Sequence, residues 1–306
     1  MRPNGSILGA KKAVSPDSAS GIWDNRTVQL ERGASNWGFM PPPSVEYLVV
    51  AGGGSGTNPG YWNISGGGGG GGYRSSISGE LTGQNGSALT PLSITSGTSY
   101  TVTVGAAGAY NTNGVDSVFG SITSNGGGGT NGEAAAGRSG GSGAGGGSSG
   151  FVGGYSGGSG TTGQGNSGGV GGVAAYQWAN GGGGGGAAGG GGSGASGSTP
   201  NGGSGIASSV TGTSITRAGG GGGKAIYVDG GYVPSSGGAG AGSGSTANRG
   251  GGGHQGGLGG SGVVYIRYGT QYADITTISA GLTYTKTIVG ANKVYEFTLG
   301  TGTVSW

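Results

Sequence analysis

The hydrophobic residues of this chain fall into a few short runs on either side of a long glycine-dominated centre. The clearest runs are VEYLVV at residues 45–50 and VVYIRY at residues 263–268. Both are rich in β-branched and aromatic residues, a composition typical of strands. Residues 47–50 and 263–266 are continuously apolar, so we expect these two strands to be buried on both faces.

Further strand-like segments extend this pattern. Two strands are predicted before the centre, at residues 99–104 and 116–122. Three more are predicted after it, joined by turns that contain glycine, at residues 283–289, 293–299 and 303–306. The core of this last group would come from Val294, Tyr295, Phe297, Leu299, Val304 and Trp306.

The centre, residues 123–262, shows neither a helical period nor strand alternation. Glycine accounts for 91 of the 306 residues of the chain, and its longest runs lie at 66–72 and 181–186. Glycine has no side chain to bury and loses more backbone entropy on folding than any other residue. Such a region is either disordered or held by backbone contacts alone. Only 8% of the residues are charged, whereas disordered tails usually carry high charge, so we expect order.

An ordered glycine region needs a conformation in which backbones satisfy one another. Polyglycine can adopt the polyproline II conformation, which has three residues per turn and no internal hydrogen bonds. Its N–H and C=O groups then point outward and require partners. Without Cβ atoms, such rods can pack side by side and bond their neighbours. The predicted fold is therefore mostly irregular or all-β, with stacked polyglycine II helices bounded by short strands.

The N-terminal residues 1–44 differ from the rest, because they carry a large share of the charge. One short helix is predicted near residues 25–32, with Asp24 or Asn25 as its N-cap and Gly33 after its end. A stiff spacer of three prolines follows. The chain is thus predicted to have three parts: an attachment head at 1–44, a glycine-rich body at 45–268 and a β-strand tail at 269–306.

Composition excludes several classes of function. The formal net charge is +3, the 13 Lys and Arg residues are scattered, and no basic stripe exists, so nucleic acid is not an expected partner. Without cysteine there is no disulfide framework or thiol chemistry. Residues 1–20 lack the apolar region of a signal peptide, and no apolar window is long enough for a transmembrane helix.

No catalytic constellation is visible in the sequence. The single histidine, His254, lies among glycines without a nearby acid, so we expect a loop side chain rather than a base or ligand. Asp116, Glu133 and Asp229 are isolated, which leaves paired-carboxylate chemistry and calcium loops without support. Accordingly, we expect no enzyme activity, no cofactor and no metal.

The short inserts between the glycine runs carry the most informative side chains. Tyrosine and tryptophan stand there among small polar residues, which is the composition of adaptable recognition loops. Flat aromatic faces also suit stacking on sugar rings. The alternative is that these aromatics are small satellite cores that cover the rod ends. The candidate receptor-binding residues are Tyr61, Trp62, Tyr73, Tyr110, Tyr155, Tyr176, Trp178, Tyr227 and Tyr232.

The alternation of glycine runs with variable inserts resembles the distal tail-fibre adhesins of T-even-type phages. Those proteins fold as stacked polyglycine II helices and bind bacterial receptors through loops between the glycine motifs. In addition, three segments resemble the glycine-rich domain proteins of tailed phages: EYLVVAGGG at 46–54, SVFGSI at 117–122 with the glycines at 126–129, and GVVYIRY at 262–268.

The head, with AKK at residues 10–12, SGIW at 20–23 and Trp37, looks like the N-terminal segment of phage virion proteins. Residues 283–306 do not belong to the T-even adhesin pattern, so the adhesins' mode of attachment does not carry over to this chain. Whether the head or the tail attaches to the virion is left open.

The resemblance implies a receptor-binding adhesin or tail-fibre tip protein of a tailed phage. Its partners would be a bacterial surface glycan or outer-membrane protein, and other virion proteins through residues 1–44. Whether the protein forms a homo-oligomer is left open. It would be located in the virion and act outside the cell. The alternative is a structural virion protein or filament-forming protein without a ligand. Ice binding is a third hypothesis, and the scarcity of regular threonine ladders in the glycine region argues against it.

Overall fold

The structure, a computed structural model, describes residues 40–57, 64–132, 134–149, 153–173, 178–194, 200–227, 232–233, 247–254 and 256–306. The helix predicted near residues 25–32 lies outside this part of the chain. Within the described residues, regular structure consists of strands and one single-turn 3-10 segment, Gly83–Asn85, with no α-helix. The prediction of an all-β and irregular fold is confirmed for these residues.

The strands of the described residues, in chain order, are β1 Ser44–Val50, β2 Tyr73–Ser75, β3 Leu81–Thr82, β4 Gly86–Ser87, β5 Leu92–Ser93, β6 Tyr100–Thr103, β7 Ser117–Phe119, β8 Ile122–Ser124, β9 Ser148–Ser149, β10 Gly153–Gly154, β11 Gly172–Val173, β12 Trp178–Asn180, β13 Ile206–Ser208, β14 Ile215–Arg217, β15 Ala225–Tyr227, β16 Tyr232–Val233, β17 Val263–Gly269, β18 Thr277–Ile278, β19 Thr283–Val289, β20 Asn292–Leu299 and β21 Thr301–Ser305. Strands β9 to β16 lie in the centre and are two or three residues long. They are too short to produce the alternation that identifies a strand in a sequence.

Two antiparallel sheets form a sandwich. The first has the order β19-β20-β17-β1-β2, with β5 pairing the start of β1, and the second has the order β18-β21-β6-β7-β8. Alternate residues of both sheets point inward and form the main core. Its aromatic members include Tyr268, which stacks on Tyr295 with ring centroids 5.9 Å apart. Tyr268 also meets the ring of Trp306 edge-on.

The other face of the first sheet is buried as well. Leu48 and Val50 of β1 and Val263 of β17 pack there against Ile206 and Val210 from the β13–β14 hairpin. The prediction that β1 and β17 are buried on both faces is therefore confirmed. Continuous apolar runs in these strands reflect a sheet covered on both sides, by a second sheet on one face and by the hairpin on the other.

The C-terminal strands are built into both sheets. Strand β20 pairs with β17, and β21 pairs with β6. Residues 269–306 thus share their hydrogen bonding and core with the body, which departs from a division that ends the body at residue 268. Of the six residues predicted for the tail core, Leu299 is 64% exposed and does not belong to it. The other five are buried in the two cores.

The glycine runs form rods with a three-residue repeat. In the rod 66–72, Gly67 N–H donates to Gly182 and Gly70 N–H donates to Gly185, so a step of three along one rod matches a step of three along the other. The N–H groups between them donate to two other rods. Gly68 N–H, for example, donates to the carbonyl of Gly253. A three-fold rotation of successive groups is the geometry of polyglycine II.

Rod 66–72 is surrounded by other backbones. Its N–H groups reach three rods and its carbonyl groups accept from three more, and together these neighbours are 51–54, 125–128, 142–145, 182–185, 219–221 and 250–253. Rod 181–186 is enclosed in the same way by its own set of neighbours. The predicted stack of polyglycine II helices, bounded by short strands, is confirmed by these bonds.

The rods grow directly out of the sandwich. Strand β1 continues into the rod at 51–57, rod 66–72 leads back into β2, and the rod at 259–262 leads into β17. The opposite ends of the rods meet away from the two sheets of the sandwich, where Ser148 N–H donates to the carbonyl of Ile64. We call this end of the bundle the tip, and the sandwich end the base.

Candidate binding surface

Of the candidate aromatic residues that the structure describes, all but Tyr73 belong to connections at the tip. Tyr61, Trp62 and Tyr176 lie outside the described residues. The residues that flank the connection at 58–63 are described. Thr57 shares a hydrogen bond of 3.0 Å with Thr130 between their hydroxyl groups, and the carbonyl of Ile64 accepts from Ser148 N–H at the tip. The sequence therefore leaves and re-enters the bundle at this end.

Three candidates lie in one small sheet, which has the order β11-β12-β15-β16. Its register pairs Trp178 of β12 with Tyr227 of β15, and Tyr232 of β16 with Ile226. Strand β12 runs into rod 181–186, whose first N–H group donates to the carbonyl of Lys224, the residue before β15. The structure thus brings together three aromatic positions that are separated by up to 54 residues in the sequence.

Two further candidates are described with their side chains. Tyr110 is 38% exposed, and its hydroxyl group donates to the carbonyl of Gly256 at 3.4 Å. Tyr155 is 36% exposed, and its backbone bonds to Gly147 and Gly171 hold it between two rods. Both combine an anchored backbone or hydroxyl group with an accessible ring.

Tyr73 requires a correction. Its side chain is fully buried at the start of β2, at the base, where it packs with Leu48 and Val50 in the second core. Burial raises the pKa of its hydroxyl group, and the charge of Glu80 raises it further. Tyr73 cannot contact a receptor. The alternation of buried Tyr73, Ser75 and Ile77 is the sequence signal that distinguishes it from the loop aromatics.

A buried polar network that the sequence did not reveal holds the hairpin β13–β14 against the first sheet. Arg217 is only 1% exposed, and its guanidinium group donates to the Tyr265 hydroxyl group at 2.8 Å. That hydroxyl group donates in turn to Glu296, also at 2.8 Å. Burial raises the pKa of Tyr265, although the charge of Arg217 opposes this effect. The network is internal, so its role is to position the hairpin rather than to bind a ligand.

A polar pocket of about 320 Å³ lies on the side of the bundle, lined by Asn113, Asp116, Asn125, Ser139, Ser159 and Thr161 among others. Three of these side chains, those of Asn113, Asp116 and Thr161, bond to backbone groups of glycines. Asp116 accepts from Gly126 N–H at 2.7 Å, and Asn113 accepts from Gly129 N–H at 2.9 Å. These residues replace a missing neighbouring rod at the edge of the bundle, which is sufficient reason for their presence.

The described residues contain no group of three or more His, Cys, Asp and Glu side chains that could hold a metal ion. His254 is exposed and lies at the tip, where its carbonyl accepts from Gly257 N–H at 2.8 Å. Over the same part of the chain, no helix has the length and apolar character of a membrane span.

The site and fold together define a class of protein: a β-sandwich that carries a polyglycine II bundle with the connections between its rods at the far end. Residues 30–269 match the glycine-rich domain family, and because this match covers well over half of the chain, the protein belongs to that family. No curated protein and no solved structure is significantly similar to the chain.

Proposed function

We propose that the protein is a receptor-binding tip protein of a tailed phage, which recognises a bacterial surface glycan or outer-membrane protein through the connections at the tip of its rod bundle. The observation that carries the proposal is that the two ends of the molecule differ. Five of the six described candidate aromatic residues belong to connections at one end, with Tyr73 the exception, and the residue at which the described chain begins lies at the other.

The base is where an attachment segment would leave the molecule. The carbonyl of Met40 accepts from Ala273 N–H at 3.0 Å, beside the sandwich. Strand β1 runs from there toward the rods, so the described chain begins at the base. A molecule fixed to a virion through residues 1–44 would therefore present its tip outward.

The construction of the bundle also supports recognition at the tip. The rods are held by backbone hydrogen bonds that do not depend on the residues of the connections. Such a scaffold tolerates changes in the connections, because they contribute little to its packing. Tyrosine and tryptophan on rigid supports supply contact area at low entropic cost, as in other recognition surfaces.

Binding to intact bacteria tests the proposal directly. Purified protein is incubated with a panel of candidate host strains and bound protein is measured after sedimentation of the cells. We expect strain-dependent binding that Trp178→Ala or Tyr110→Ala weakens by about 2 kcal/mol, roughly thirtyfold, if each residue is an anchor. The melting temperature should stay nearly unchanged, because both positions lie in tip connections.

Leu299→Ala is the matched control, since Leu299 is 64% exposed but lies on the sandwich. It should bind as the unchanged protein does. Equal loss of binding in the control and the tip variants would contradict recognition at the tip. Failure to bind any strain, together with assembly of the protein into fibres, would favour the structural alternative.

A further inference from the structure

Strand β19 forms an open edge of the first sheet. It pairs with β20 on one side, and no strand of the described residues pairs with its other side. Six of its seven residues are exposed, among them Tyr284 at 44% and Ile288 at 57%. An exposed edge strand of this length, with apolar side chains, is a template for pairing with another strand.

Natural proteins protect such edges with charge, often with a lysine. Here the protecting charge is neutralised within the chain. Lys286, the one charged residue of β19, donates to Asp274 at 2.6 Å, and its ammonium group lies 5.8 Å from the centre of the Tyr295 ring. The hydrogen bond with Asp274 also raises the pKa of Lys286. The edge therefore carries no unpaired charge that would repel an incoming strand.

The sequence of β19 is complementary to itself in one antiparallel register. With a two-fold axis at Thr285, Thr283 faces Thr287 of the second copy and Tyr284 faces Lys286. These are threonine pairs on one face and aromatic–cation pairs on the other, both favourable across strands. Centring the axis one residue later would place Lys286 against its own copy, which is unfavourable.

We infer that a second copy of this chain binds to the β19 edge, so that two first sheets join into one continuous sheet. A two-fold contact of this kind closes on itself and produces a dimer rather than a filament. Strand β19 runs from the tip side toward the base, as its pairing with β20 requires. Antiparallel pairing therefore directs the two tips in opposite directions, and the inference does not rest on the proposed function.

Crosslinking at the axis gives the sharpest test, because the chain contains no cysteine. In the full-length variant Thr285→Cys, the two introduced thiols would face each other across the paired strands. Directly opposed residues have Cβ atoms about 4.5–5.5 Å apart, close to disulfide geometry. We expect mild oxidation to convert most of the protein into a covalent dimer.

Thr101→Cys is the matched control. Thr101 is also an exposed threonine in a strand, but β6 is paired on both sides, by β21 and β7. It should crosslink slowly and only at high protein concentration. Equal crosslinking of the two variants, or none at Thr285→Cys, would overturn the inference, and the latter result would leave the edge to another occupant such as the segment before Met40.

Sedimentation velocity supplies a second measurement without oxidation. The unchanged full-length protein should sediment as a concentration-dependent dimer. Thr285→Lys places two like charges at the axis and should raise the dissociation constant at least tenfold, while Thr101→Lys should leave it unchanged. A monomer at every concentration, or an equal effect of both substitutions, would contradict pairing through β19.

Discussion

At the scale of single residues, the absence of a Cβ atom is what builds the bundle. A Cβ atom at Gly184 would collide with the carbonyl oxygen of Gly68, a backbone atom that cannot move aside without separating two rods. Gly190, a few residues later, differs: the nearest atom to its Cβ position is the carbonyl oxygen of Ser167 at 3.5 Å, an ordinary contact. Glycines of the same region therefore differ in whether they tolerate a side chain.

This difference predicts opposite effects for the same substitution. Gly184→Ala should destabilise the protein by about 1–3 kcal/mol, the typical cost of overpacking, because it forces rods apart and weakens their hydrogen bonds. Gly190→Ala should be neutral or stabilise by about 0.4–1 kcal/mol, since it restricts the unfolded chain without a collision. Chemical denaturation of both variants measures the difference. Similar free energies of unfolding for the two would contradict the packed-rod interpretation.

At the scale of elements, ion pairs and hydrogen bonds fix how strands and connections meet. Asp274, in the connection between β17 and β18, accepts from Lys286 of β19 and lies 2.7 Å from the ammonium group of Lys293 of β20. Desolvation alone would raise the pKa of Asp274, but the hydrogen bonds and charges of the two lysines outweigh it and lower the pKa to about 2. One carboxylate thus ties a connection to two adjacent strands.

A lowered carboxylate pKa predicts the direction of the pH dependence. The folded state binds the proton of Asp274 less readily than the unfolded chain does, so the contribution to stability is full above the ordinary pKa near 3.8 and is lost as the pH falls toward about 2. The effect should be below about 1 kcal/mol, because the side chain is half exposed and screened by solvent.

The measurement is the melting temperature as a function of pH. Asp274→Asn should lower the melting temperature at pH 7. The difference in melting temperature between this variant and the unchanged protein should become smaller as the pH falls to about 2. Glu46→Gln is the comparison variant. It removes the carboxylate of a different ion pair in the first sheet, the one that Glu46 forms with Arg267 at 2.7 Å. A difference for Asp274→Asn that is independent of pH would show that the carboxylate charge has no such role.

At the scale of the whole molecule, rods and sheets form one hydrogen-bonded unit. Rod 66–72 bonds to segments from residue 51 to residue 253, so its ladder closes only when most of the chain is in place. Contacts of such sequence separation make folding slow and cooperative. The bundle has almost no side chains to bury, and its stability depends on many backbone bonds that form together.

Hydrogen exchange tests this cooperativity. The amides of residues 67–72 should be protected as strongly as those of β1 and β17, because opening the central rod breaks bonds to several neighbours at once. Amides in β16 and at Tyr110 should exchange faster, since they lie in connections at the tip. Mass spectrometry of peptides from both regions measures the rates. Rapid exchange in residues 67–72 would mean that the rods open independently of the sandwich.

Much of the fold followed from local sequence. The strands β1, β6, β17, β19 and β20 were predicted within about two residues, because their branched and aromatic composition and the glycine turns are local signals. Polyglycine II rods were predictable since glycine without side chains has few other ways to satisfy its backbone. The candidate aromatics were proposed from composition and remain a prediction, and composition did not show that Tyr73 lies in a short buried strand rather than in a loop.

The sequence by itself determined the longer strands, the glycine rods and the positions of the aromatic inserts, whereas the two- and three-residue strands of the centre left no signal in it. Only the tertiary structure decided their neighbours. It placed the C-terminal strands inside both sheets, buried Arg217 beside Tyr265 and gave rod 66–72 its surrounding backbones. The physical reason is that glycine backbones are chemically identical, so nothing in a glycine run encodes which other run it will bond. For the rods that are continuous with sandwich strands, 51–57, 66–72 and 259–262, the packed side chains of those strands fix where the rod begins or ends.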